Sequence, residues 1–517
     1  MKYFGIDFGN GTCSIASIDA SGENLKILKN NLNEDKINSV IAFKDLNNVL
    51  VGKENYDYEE VENINLIKSK FGVQQSVQVK GEKRSIQYCG AILMNYLIKK
   101  IAKKDFLEKA VITVPAIYGQ RDRRIIYDSA LQASIKDVEL IEEPASAAIY
   151  YLYEKNKNKE KLNLLEKNIL IFDFGTGTLD MSLIEVDYND SGIKAKVKKT
   201  EGEKNLGGYL IDITLAEYIL EKYIEELDLE ELEIIKEHVT NHIIKYNMSQ
   251  YDYLDKLDKK TIRYIEKLIK YAESIKKELT YNKSIIIKLG DLEEIEITKD
   301  EFESYVLEKC VVKKVEDLID KFNSLNEYKI DVIVMVGGSS QIPYIKKILQ
   351  NKYKYKEIIT NSSYINAVVL GAAITSALNS GVNINPFGIN KCRGIIPNDI
   401  YLSFNGEETL IFKKGISYPH SEVREVKIPY SLCSSIKVLL KENNEVLDEI
   451  NFYHPCFYTG DILNIYCDID EKGIISFKAE HKETKEFITL EVNSKNRLTP
   501  KQIEGGRKNI KEKLRFI

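Results

Sequence analysis

The sequence of 517 residues is poor in several residue types and contains no long apolar run. It has no tryptophan, only five histidines and five methionines, and nine prolines. No stretch approaches the roughly 18 consecutive apolar residues of a membrane-spanning helix, so we expect no membrane partner. The first strand signal begins at Tyr3, which leaves no room for a signal peptide before it. We therefore expect a cytoplasmic protein.

The few cysteines and histidines predict neither a disulfide framework nor a zinc site. No Cys-x-x-Cys pair occurs, and the number of cysteines is odd, which predicts reduced thiols. The seven cysteines are Cys13, Cys89, Cys310, Cys392, Cys433, Cys456 and Cys467. His238 and His242 are spaced to share a helix face but lack a third ligand, so a surface pair is the expected arrangement.

The charge balance gives no electrostatic case for nucleic acid as a partner. The chain has 74 Lys and Arg against 79 Asp and Glu, a net charge of −5 and a pI near 5.9. Binding to a phosphate backbone requires a basic surface, so we expect no nucleic-acid partner. Hydrophobic residues at 44% and charged residues at 30% are typical of globular proteins, and the length predicts more than one domain.

One short pattern occurs twice. The run Asp-Phe-Gly-Thr-Gly-Thr at 173–178 repeats Asp-Phe-Gly-Asn-Gly-Thr at 7–12, with a difference only at the fourth position. Each copy lies between two apolar runs, which predicts a strand, a tight turn and a second strand. Glycines bring backbone N–H groups close to a ligand, where successive amides form an anion-binding concavity. Two such loops facing each other would hold a polyphosphate from both sides.

Two ordinary β-hairpins are the simpler interpretation, and either copy alone would favour it. A turn by itself does not need Asp, Gly, Gly and Thr at the same offsets twice, so the duplication favours matching half-sites in duplicated halves. The Asp-Phe-Gly triplet also occurs in protein kinases, but their Gly-rich loop, strand lysine and His-Arg-Asp loop are missing here. A Walker A sequence is missing as well.

The order of strand and helix signals predicts an α/β protein in the first three quarters of the chain. Residues 1–383 are expected to form two halves of similar organisation, 1–165 and 166–383, and each half begins with one copy of the loop. Strands that alternate with helical segments are typical of such α/β units.

The rest of the chain predicts a different architecture. Prolines and asparagines are frequent in 384–398, which predicts a linker. Alternating apolar and polar residues separated by turn signals then predict a small antiparallel β-sandwich at 399–494. A Thr-Pro pair predicts the N-cap and first position of one short helix in the tail, 495–517.

Further motifs occur between and after the two loops in a definite order. They are Val111–Ala116, Glu143–Ala148, Leu206–Gly208, Ala272–Leu279, Val336–Pro343 and Asp468–Ile474. In this order the pieces resemble the actin-like ATPase superfamily and, within it, the DnaK-type seventy-kilodalton heat-shock chaperones, from residue 3 to about 510. The resemblance implies an actin-like ATPase fold of two duplicated α/β halves, followed by the β-sandwich and one short C-terminal helix.

The resemblance also implies a site for ATP or ADP with Mg²⁺ between the halves. Asp7 and Asp173 would hold Mg²⁺ through its waters, because this ion gives up its hydration shell reluctantly. Glu143 would orient the attacking water, and Thr178 would act beside these carboxylates in catalysis. The nucleotide-binding residues would be Gly9, Asn10, Gly11, Thr12, Gly175, Thr176, Gly177, Thr178, Gly207, Gly208, Glu273, Lys276, Lys277, Gly337, Gly338, Ser339 and Ser340.

Some of these residues have a plainer interpretation, and some family positions are altered. By spacing alone, Glu273 with its neighbouring lysines forms an ordinary i,i+3 and i,i+4 surface arrangement. In the family a lysine near the phosphates precedes a phenylalanine, and an alignment on Phe71 places Ile64 at that position. We expect a helix here to direct Lys68 and Lys70 elsewhere. Asn10-Gly11 also replaces the usual Thr-Thr of the first loop.

The β domain and its coupling differ from the family pattern too. The acidic-leucine linker is absent, and Glu139 replaces an arginine that helps the family receive J-domain proteins. By resemblance, extended unfolded peptide segments would bind between Leu402 and Leu440, where Ser434-Ser435-Ile436 puts a serine at a central apolar pocket. The helical lid is almost missing, so we expect fast release and an affinity of roughly micromolar or weaker.

Two functions from different classes follow. The first is an ATP-dependent chaperone-like ATPase whose nucleotide state alters peptide binding, with co-chaperones as further partners. The rival is a nucleotide-binding interaction or regulatory protein with little ATPase turnover. Thr178, Glu143 and the β domain favour the first function, whereas Ile64, Asn10 and the altered linker favour the second.

Overall fold

The computed structural model describes most of the chain. It covers residues 2–53, 61–157, 168–189, 192–227, 229, 232–324, 328–354, 356–360, 362–382, 384, 389–429, 433–494 and 497–517. The predicted boundary between the halves, at 165 and 166, lies outside the described residues. So do residues 385–388 of the predicted linker and residues 495 and 496 of the predicted tail.

A mixed sheet forms the centre of the first half. The elements are β1 (Lys2–Phe8), β2 (Thr12–Asp19), β3 (Lys26–Ile27), β4 (Ile37–Asn38), β5 (Ile41–Phe43), β6 (Asn48–Val51), β7 (Glu62–Ile64), β8 (Ser76–Val79), β9 (Glu82–Ser85), α1 (Ile86–Tyr96), β10 (Leu107–Val114), α2 (Gln120–Gln132), β11 (Ile135–Glu142) and α3 (Glu143–Lys157). The main sheet has the order β11-β10-β1-β2-β3, with β4 also on β2. Strand β1 is parallel to β10 and antiparallel to β2.

The second half repeats this arrangement. Its elements are β12 (Asn168–Phe174), β13 (Thr178–Asn189), β14 (Gly192–Lys204), α4 (Gly208–Leu227), α5 (Glu233–Asn247), α6 (Lys259–Leu279), β15 (Ser284–Lys288), β16 (Glu294–Thr298), α7 (Lys299–Glu301), α8 (Lys313–Asn323), β17 (Val332–Val336), α9 (Pro343–Lys352), β18 (Glu357–Ile359) and α10 (Ala367–Asn379). The sheet order β18-β17-β12-β13-β14 matches that of the first half, with β12 parallel to β17 and antiparallel to β13.

Helices α3 and α10 pack together between the two sheets and join the halves. Small residues permit this close packing. A Cβ at Gly371 of α10 would lie 1.8 Å from the carbonyl oxygen of Ser146 in α3, and a Cβ at Gly5 of β1 would lie 2.2 Å from the backbone nitrogen of Ala373. Only glycine fits at such distances, so both positions require it.

A β-sandwich forms the next part of the chain. The elements are β19 (Ile389–Arg393), β20 (Ile400–Phe404), β21 (Glu407–Phe412), β22 (His420–Lys427), β23 (Cys433–Glu442), β24 (Glu445–Phe457), β25 (Ile462–Ile469), β26 (Ile475–His481), β27 (Thr489–Ser494), α11 (Pro500–Glu512) and β28 (Arg515–Phe516). One sheet has the order β21-β20-β23-β24-β27 and the other β22-β25-β26. Strand β19, inside the predicted linker, pairs in parallel with β14 as an edge strand of the second half.

The C-terminal helix packs on the first half of the chain. Thr499 caps α11, and its side chain and that of Gln502 form a reciprocal capping box, as the Thr-Pro signal predicts. Ile510 is 1% exposed and belongs to the apolar core of the first half. Beyond the helix, β28 pairs in parallel with β6, and the ring of Phe516 meets that of Tyr96 edge-on.

The predicted surface pair of histidines is wrong for His242. Its side chain is 2% exposed, and its Nε2 lies 2.9 Å from the hydroxyl of Tyr209. Burial lowers the pKa of His242 to about 4, with the charge of Lys70 adding to the effect. His238, on the same helix, contacts the hydroxyl of Tyr253 through Nδ1 at 3.2 Å.

All seven cysteines are free thiols. Among the helices that the structure describes, none is long and apolar enough to cross a membrane.

Candidate functional site

The two duplicated loops meet across the cleft between the halves. Each connects a pair of antiparallel strands, β1 with β2 and β12 with β13. A Cβ at Gly11 would lie 2.4 Å from Oγ1 of Thr176, and a Cβ at Gly177 would lie 2.7 Å from Nδ2 of Asn10. The glycines are therefore needed for this close approach, which the sequence pattern alone predicted.

A cavity of about 350 Å³ opens between the loops. Seventeen of the residues predicted for the site line it: Asp7, Gly9, Asn10, Gly11, Thr12, Glu143, Asp173, Gly175, Thr176, Gly177, Thr178, Glu273, Lys276, Lys277, Gly337, Gly338 and Ser339. They come from β1, β12, α3, α6 and the turn after β17, which are far apart in sequence.

The other three predicted residues support the wall from behind. A Cβ at Gly207 would lie 2.3 Å from the carbonyl oxygen of Thr176, so glycine is required there. The backbone N–H of Gly208 donates to the carbonyl of Gly175 at 3.0 Å. The hydroxyl of Ser340 is buried and donates to the carbonyl of Gly337 at 2.6 Å. These contacts hold the second loop and the turn after β17 in place.

Carboxylates gather at the strand ends beside the loops. Asp173 is 6% exposed, and burial raises its pKa well above the usual range, with Glu143, Asp180 and Asp7 adding to the effect. Burial, and then the charge of Glu143, raise the pKa of Asp180 to about 7. Such a cluster of buried negative groups is stabilised by a cation.

These residues fit a hydrated Mg²⁺. Within the described part of the chain, no three His, Cys, Asp or Glu side chains are grouped so that they could hold a metal ion directly. Asp7 and Asp173 line one cavity, and Thr113 donates to Oδ1 of Asp7 at 2.9 Å, which fixes that carboxylate. Mg²⁺ commonly keeps several waters and takes only one or two protein carboxylates.

The prediction that a helix directs Lys68 away from the site is wrong. The segment after β7 forms turns, and the side chain of Lys68 points into the cavity with 3% of the residue exposed. Its Nζ lies 2.5 Å from Oε1 of Glu143. Ile64, which the alignment placed at the lysine position, is buried in the core of the first half instead. Gly72, with φ +71°, is the local signal for a turn here.

Glu143 is the partner of this lysine. Burial raises the pKa of Glu143, and the positive charge of Lys68 opposes that rise. Glu143 is the first residue of α3, directly after β11. Its carboxylate therefore lies at the carboxyl ends of the parallel strands β10 and β11, in the cleft.

The helix α6 shows both arrangements that the sequence allowed. Glu273 forms ion pairs with Lys277 at 2.6 Å and with Lys270 at 2.7 Å, as a surface arrangement would. Burial raises the pKa of Glu273, but these lysines outweigh it and the pKa falls to about 2. Lys276 turns inward, where its Nζ lies 2.6 Å from Asp212.

Other wall residues were not predicted from the sequence. Besides Lys68 they include Lys36, Ser69, Tyr118, Thr280, Tyr281 and Gln341. No local pattern marks them, because they reach the cavity only through the folding of distant segments.

Comparison with known proteins agrees with this architecture. The family model described as Hsp70 protein matches residues 63–514. A heat shock cognate HSP70 protein of Trypanosoma brucei brucei is 26% identical over 451 residues, which cover 81% of this chain and 59% of that protein. The chain thus spans less than two thirds of the length of this relative. The family and the mixed α/β, actin-like fold predicted from the sequence are confirmed: the chain belongs to the Hsp70 family.

Proposed function

We propose that this protein is an ATP-dependent, chaperone-like ATPase that binds Mg-ATP and Mg-ADP between the duplicated halves. The observation that carries the proposal is the meeting of the two loops across a cavity that also contains buried carboxylates and a buried lysine. Membership of the Hsp70 family supports such an activity at the level of the family. We also propose the domain limits 1–383, 399–494 and 495–517 that the sequence predicts.

Different residues of the cavity can perform different parts of phosphoryl transfer. Backbone amides of the loops and the hydroxyl of Thr178 would hold the phosphates, and Mg²⁺ would neutralise part of their charge. Glu143 would accept a hydrogen bond from the attacking water, while Lys68 would stabilise negative charge on the phosphoryl oxygens. The water oxygen would bond to the γ-phosphorus as the bond to the bridging oxygen breaks; ADP would leave with that oxygen, and the water protons would leave with the inorganic phosphate. No covalent nucleophile is needed.

Two measurements test this proposal. Calorimetry should show saturable binding of Mg-ADP to the wild-type protein and much weaker binding to Asp173→Ala, with unchanged folding. A single-turnover assay with ATP should show formation of ADP and phosphate. Equal affinity for both proteins would disprove the loop assignment, and nucleotide binding without turnover would leave the rival function.

One observation favours the rival function, because it suits the β domain to protein interaction rather than to peptide binding. The guanidinium of Arg424 on β22 donates to the carbonyls of Leu410 and Ile411 on the edge strand β21, at 3.2 and 3.3 Å. An extended peptide that adds to a sheet edge needs free main-chain groups there. With these carbonyls engaged, the domain is suited to docking rather than to peptide binding.

Fluorescence anisotropy with labelled extended peptides can decide between the two roles. If Arg424 blocks the edge, Arg424→Ala should bind Leu-rich peptides at least tenfold more tightly than the wild type. Lys437→Ala, on β23 and two strands in from that edge, is the matched control. An absence of binding by both the wild type and Arg424→Ala, with or without ATP, would exclude peptide binding at this edge.

A further inference from the structure

A second, smaller cavity of about 150 Å³ adjoins the nucleotide cleft. The two cavities share part of their walls: Asn10, Gly11, Thr12 and Thr176 of the loops, and Glu273 of α6. The remaining wall comes from β4 and β7 with the turns after them, from α4, α5 and α6, and from the segment between α5 and α6. Asn10, Thr12 and Thr176 line the side next to the loops with polar side chains, and Leu66, Leu254 and Ile269 are apolar parts of the wall. A cavity of this volume holds a molecule about as large as benzene, which is far too small for a nucleotide.

Lys70 places a positive charge in this small cavity. The residue is 7% exposed and lines the wall. Among the described residues, its ammonium group has neither an ion pair nor a side-chain hydrogen bond. By contrast, the ammonium of Lys68 contacts Glu143 and that of Lys276 contacts Asp212. A largely buried charge without an ion pair is unfavourable, so an anion in the cavity would stabilise this arrangement.

Asn10 adds an oriented donor at the boundary between the cavities. Its Oδ1 accepts a hydrogen bond from the backbone N–H of Ser69 at 3.1 Å, which fixes the direction of the amide. Its Nδ2 is buried and has no acceptor within the described structure. Asn10 is the one position at which the two duplicated loops differ. The first loop therefore has a side-chain amide without an acceptor where the second loop has a threonine.

The acidic groups around the cavity are already engaged. Asp212 pairs with Lys276, and Glu273 pairs with two lysines of its own helix. Glu266 accepts a hydrogen bond from the side chain of Asn65 at 3.3 Å. His242 is held neutral near pH 7, because burial lowers its pKa to about 4. The carboxylate of Asp252 also interacts electrostatically with Lys70, but its ion pair is with Lys256, at 3.0 Å. The ammonium of Lys70 therefore has no ion pair among the described residues and stays available to a ligand.

We propose that this cavity binds inorganic phosphate and receives the phosphate that ATP hydrolysis forms in the cleft. The assignment rests on the proposed function, because the shared wall gives the product a neighbouring chamber once the bond to ADP is broken. Binding in the chamber makes and breaks no covalent bond. The ammonium of Lys70 and the amide of Asn10 would donate to the phosphate oxygens.

Phosphate binding is measured directly, without turnover. The protein saturated with Mg-ADP is titrated with inorganic phosphate in a calorimeter, and the wild type is compared with Lys70→Met and Lys70→Arg. We expect saturable binding to the wild type, at least tenfold weaker binding to Lys70→Met, and binding within about threefold of the wild type for Lys70→Arg. Lys260→Met, an exposed lysine of α6, is the control and should equal the wild type. Thermal unfolding and ADP affinity verify that each variant is folded.

A single-turnover assay distinguishes added phosphate from the phosphate formed in the site. With a fluorescent phosphate-binding reporter, Lys70→Met should change the rate of phosphate release at least threefold relative to the rate of ADP formation. The proposal is overturned if the Mg-ADP complex binds no phosphate, or if Lys70→Met binds it like the wild type. If the wild type does not bind ADP, the proposed function is overturned instead. Titration of the nucleotide-free protein with inorganic phosphate would still test the chamber.

Discussion

Lys68 is the residue that most changes the chemistry expected of this site. Its sequence neighbourhood predicts a lysine on a helix that points away, yet its Nζ lies 2.5 Å from Glu143 inside the nucleotide cleft. A buried positive charge at this place can stabilise the charge that develops on a transferring phosphoryl group. The chain therefore has a cation beside its candidate catalytic carboxylate.

Replacement of this lysine tests its role. Lys68→Met should lower the single-turnover rate of ATP hydrolysis by roughly 10²-fold or more, because an oriented group of this kind is worth that much in the transition state. The affinity for Mg-ADP should change far less. Lys44→Met, at an exposed position, is the control. An unchanged hydrolysis rate in folded Lys68→Met would contradict the role.

The change Ile64→Lys tests the alignment on Phe71 that places Ile64 at the family's lysine position. If the aligned position were catalytic, the added lysine would raise turnover. The side chain of Ile64 is 7% exposed and packs in an apolar core, so the structure instead predicts lower stability and no gain in rate.

Buried His242 should make stability depend on pH. Its pKa falls from 6.5 in the unfolded chain to about 4 in the folded protein, so between these values only the unfolded chain takes up the proton. The contribution of neutral His242 to the free energy of unfolding is fully present above pH 6.5. It is lost as the pH falls toward 4, at about 1.4 kcal/mol per pH unit.

Unfolding midpoints at several pH values measure this contribution. The wild type should lose stability between pH 6.5 and 4.5 more steeply than His242→Gln, whereas His238→Gln should follow the wild type. Parallel curves for the wild type and His242→Gln would show that the buried imidazole does not carry the effect.

Among the elements, the C-terminal helix has a location that its own sequence does not indicate. Arg507 donates to the carbonyl of Leu131 at the end of α2 through Nε and Nη2, at 3.0 and 2.9 Å. The hydroxyl of Tyr88 in α1 donates to Asn509 at 2.6 Å. With β28 added to the sheet of β6, this tail stabilises the first half rather than covering the β-sandwich.

Truncation of one side chain tests the docking of α11. Ile510→Ala leaves a cavity in the core of the first half, so it should lower the free energy of unfolding by about 2–5 kcal/mol. Lys508→Ala, exposed on the same helix, should cost far less. Chemical denaturation of both variants provides the comparison, and equal midpoints would argue against a docked helix.

At the scale of the whole molecule, the β-sandwich docks on the first half through a buried polar cluster. Arg123 of α2 forms an ion pair with Glu142 at 2.6 Å and donates to the hydroxyl of Tyr418 at 3.1 Å. That hydroxyl in turn donates to Glu142. Glu142 directly precedes Glu143, so the docking contact and the candidate catalytic carboxylate are neighbours in the chain. A change in docking can therefore reach the nucleotide cleft.

Removal of one hydroxyl should weaken this docking. Tyr418→Phe loses hydrogen bonds to two charged groups, each worth about 1.5–3 kcal/mol, and should increase the undocked population. Small-angle scattering would show a larger radius of gyration, and the rate of ATP hydrolysis should change with it. Tyr401→Phe, whose hydroxyl contacts Asp399 within the β domain, is the control. If the radius of gyration of Tyr418→Phe equals that of the wild type and of Tyr401→Phe, the role of this cluster is contradicted.

Local sequence was sufficient for much of the architecture. The duplicated loops, the strands around them and the cap at Thr499 depend on turn chemistry and periodicity over a few residues, so a single chain shows them. Strand β24 has no clear signal in the sequence, because Asp448-Glu449 and His454-Pro455 interrupt its alternation. Its pairing with β23 on one side and β27 on the other maintains it as a strand.

Contacts between distant segments decided the rest. The direction of Lys68 depends on α3, which brings Glu143 to it from 75 residues away in the sequence. The burial of His242 depends on the packing of α5 against α4, and the place of α11 depends on the core of the first half. No local pattern encodes these outcomes, because the free energy of burying a side chain is set by what the fold packs around it.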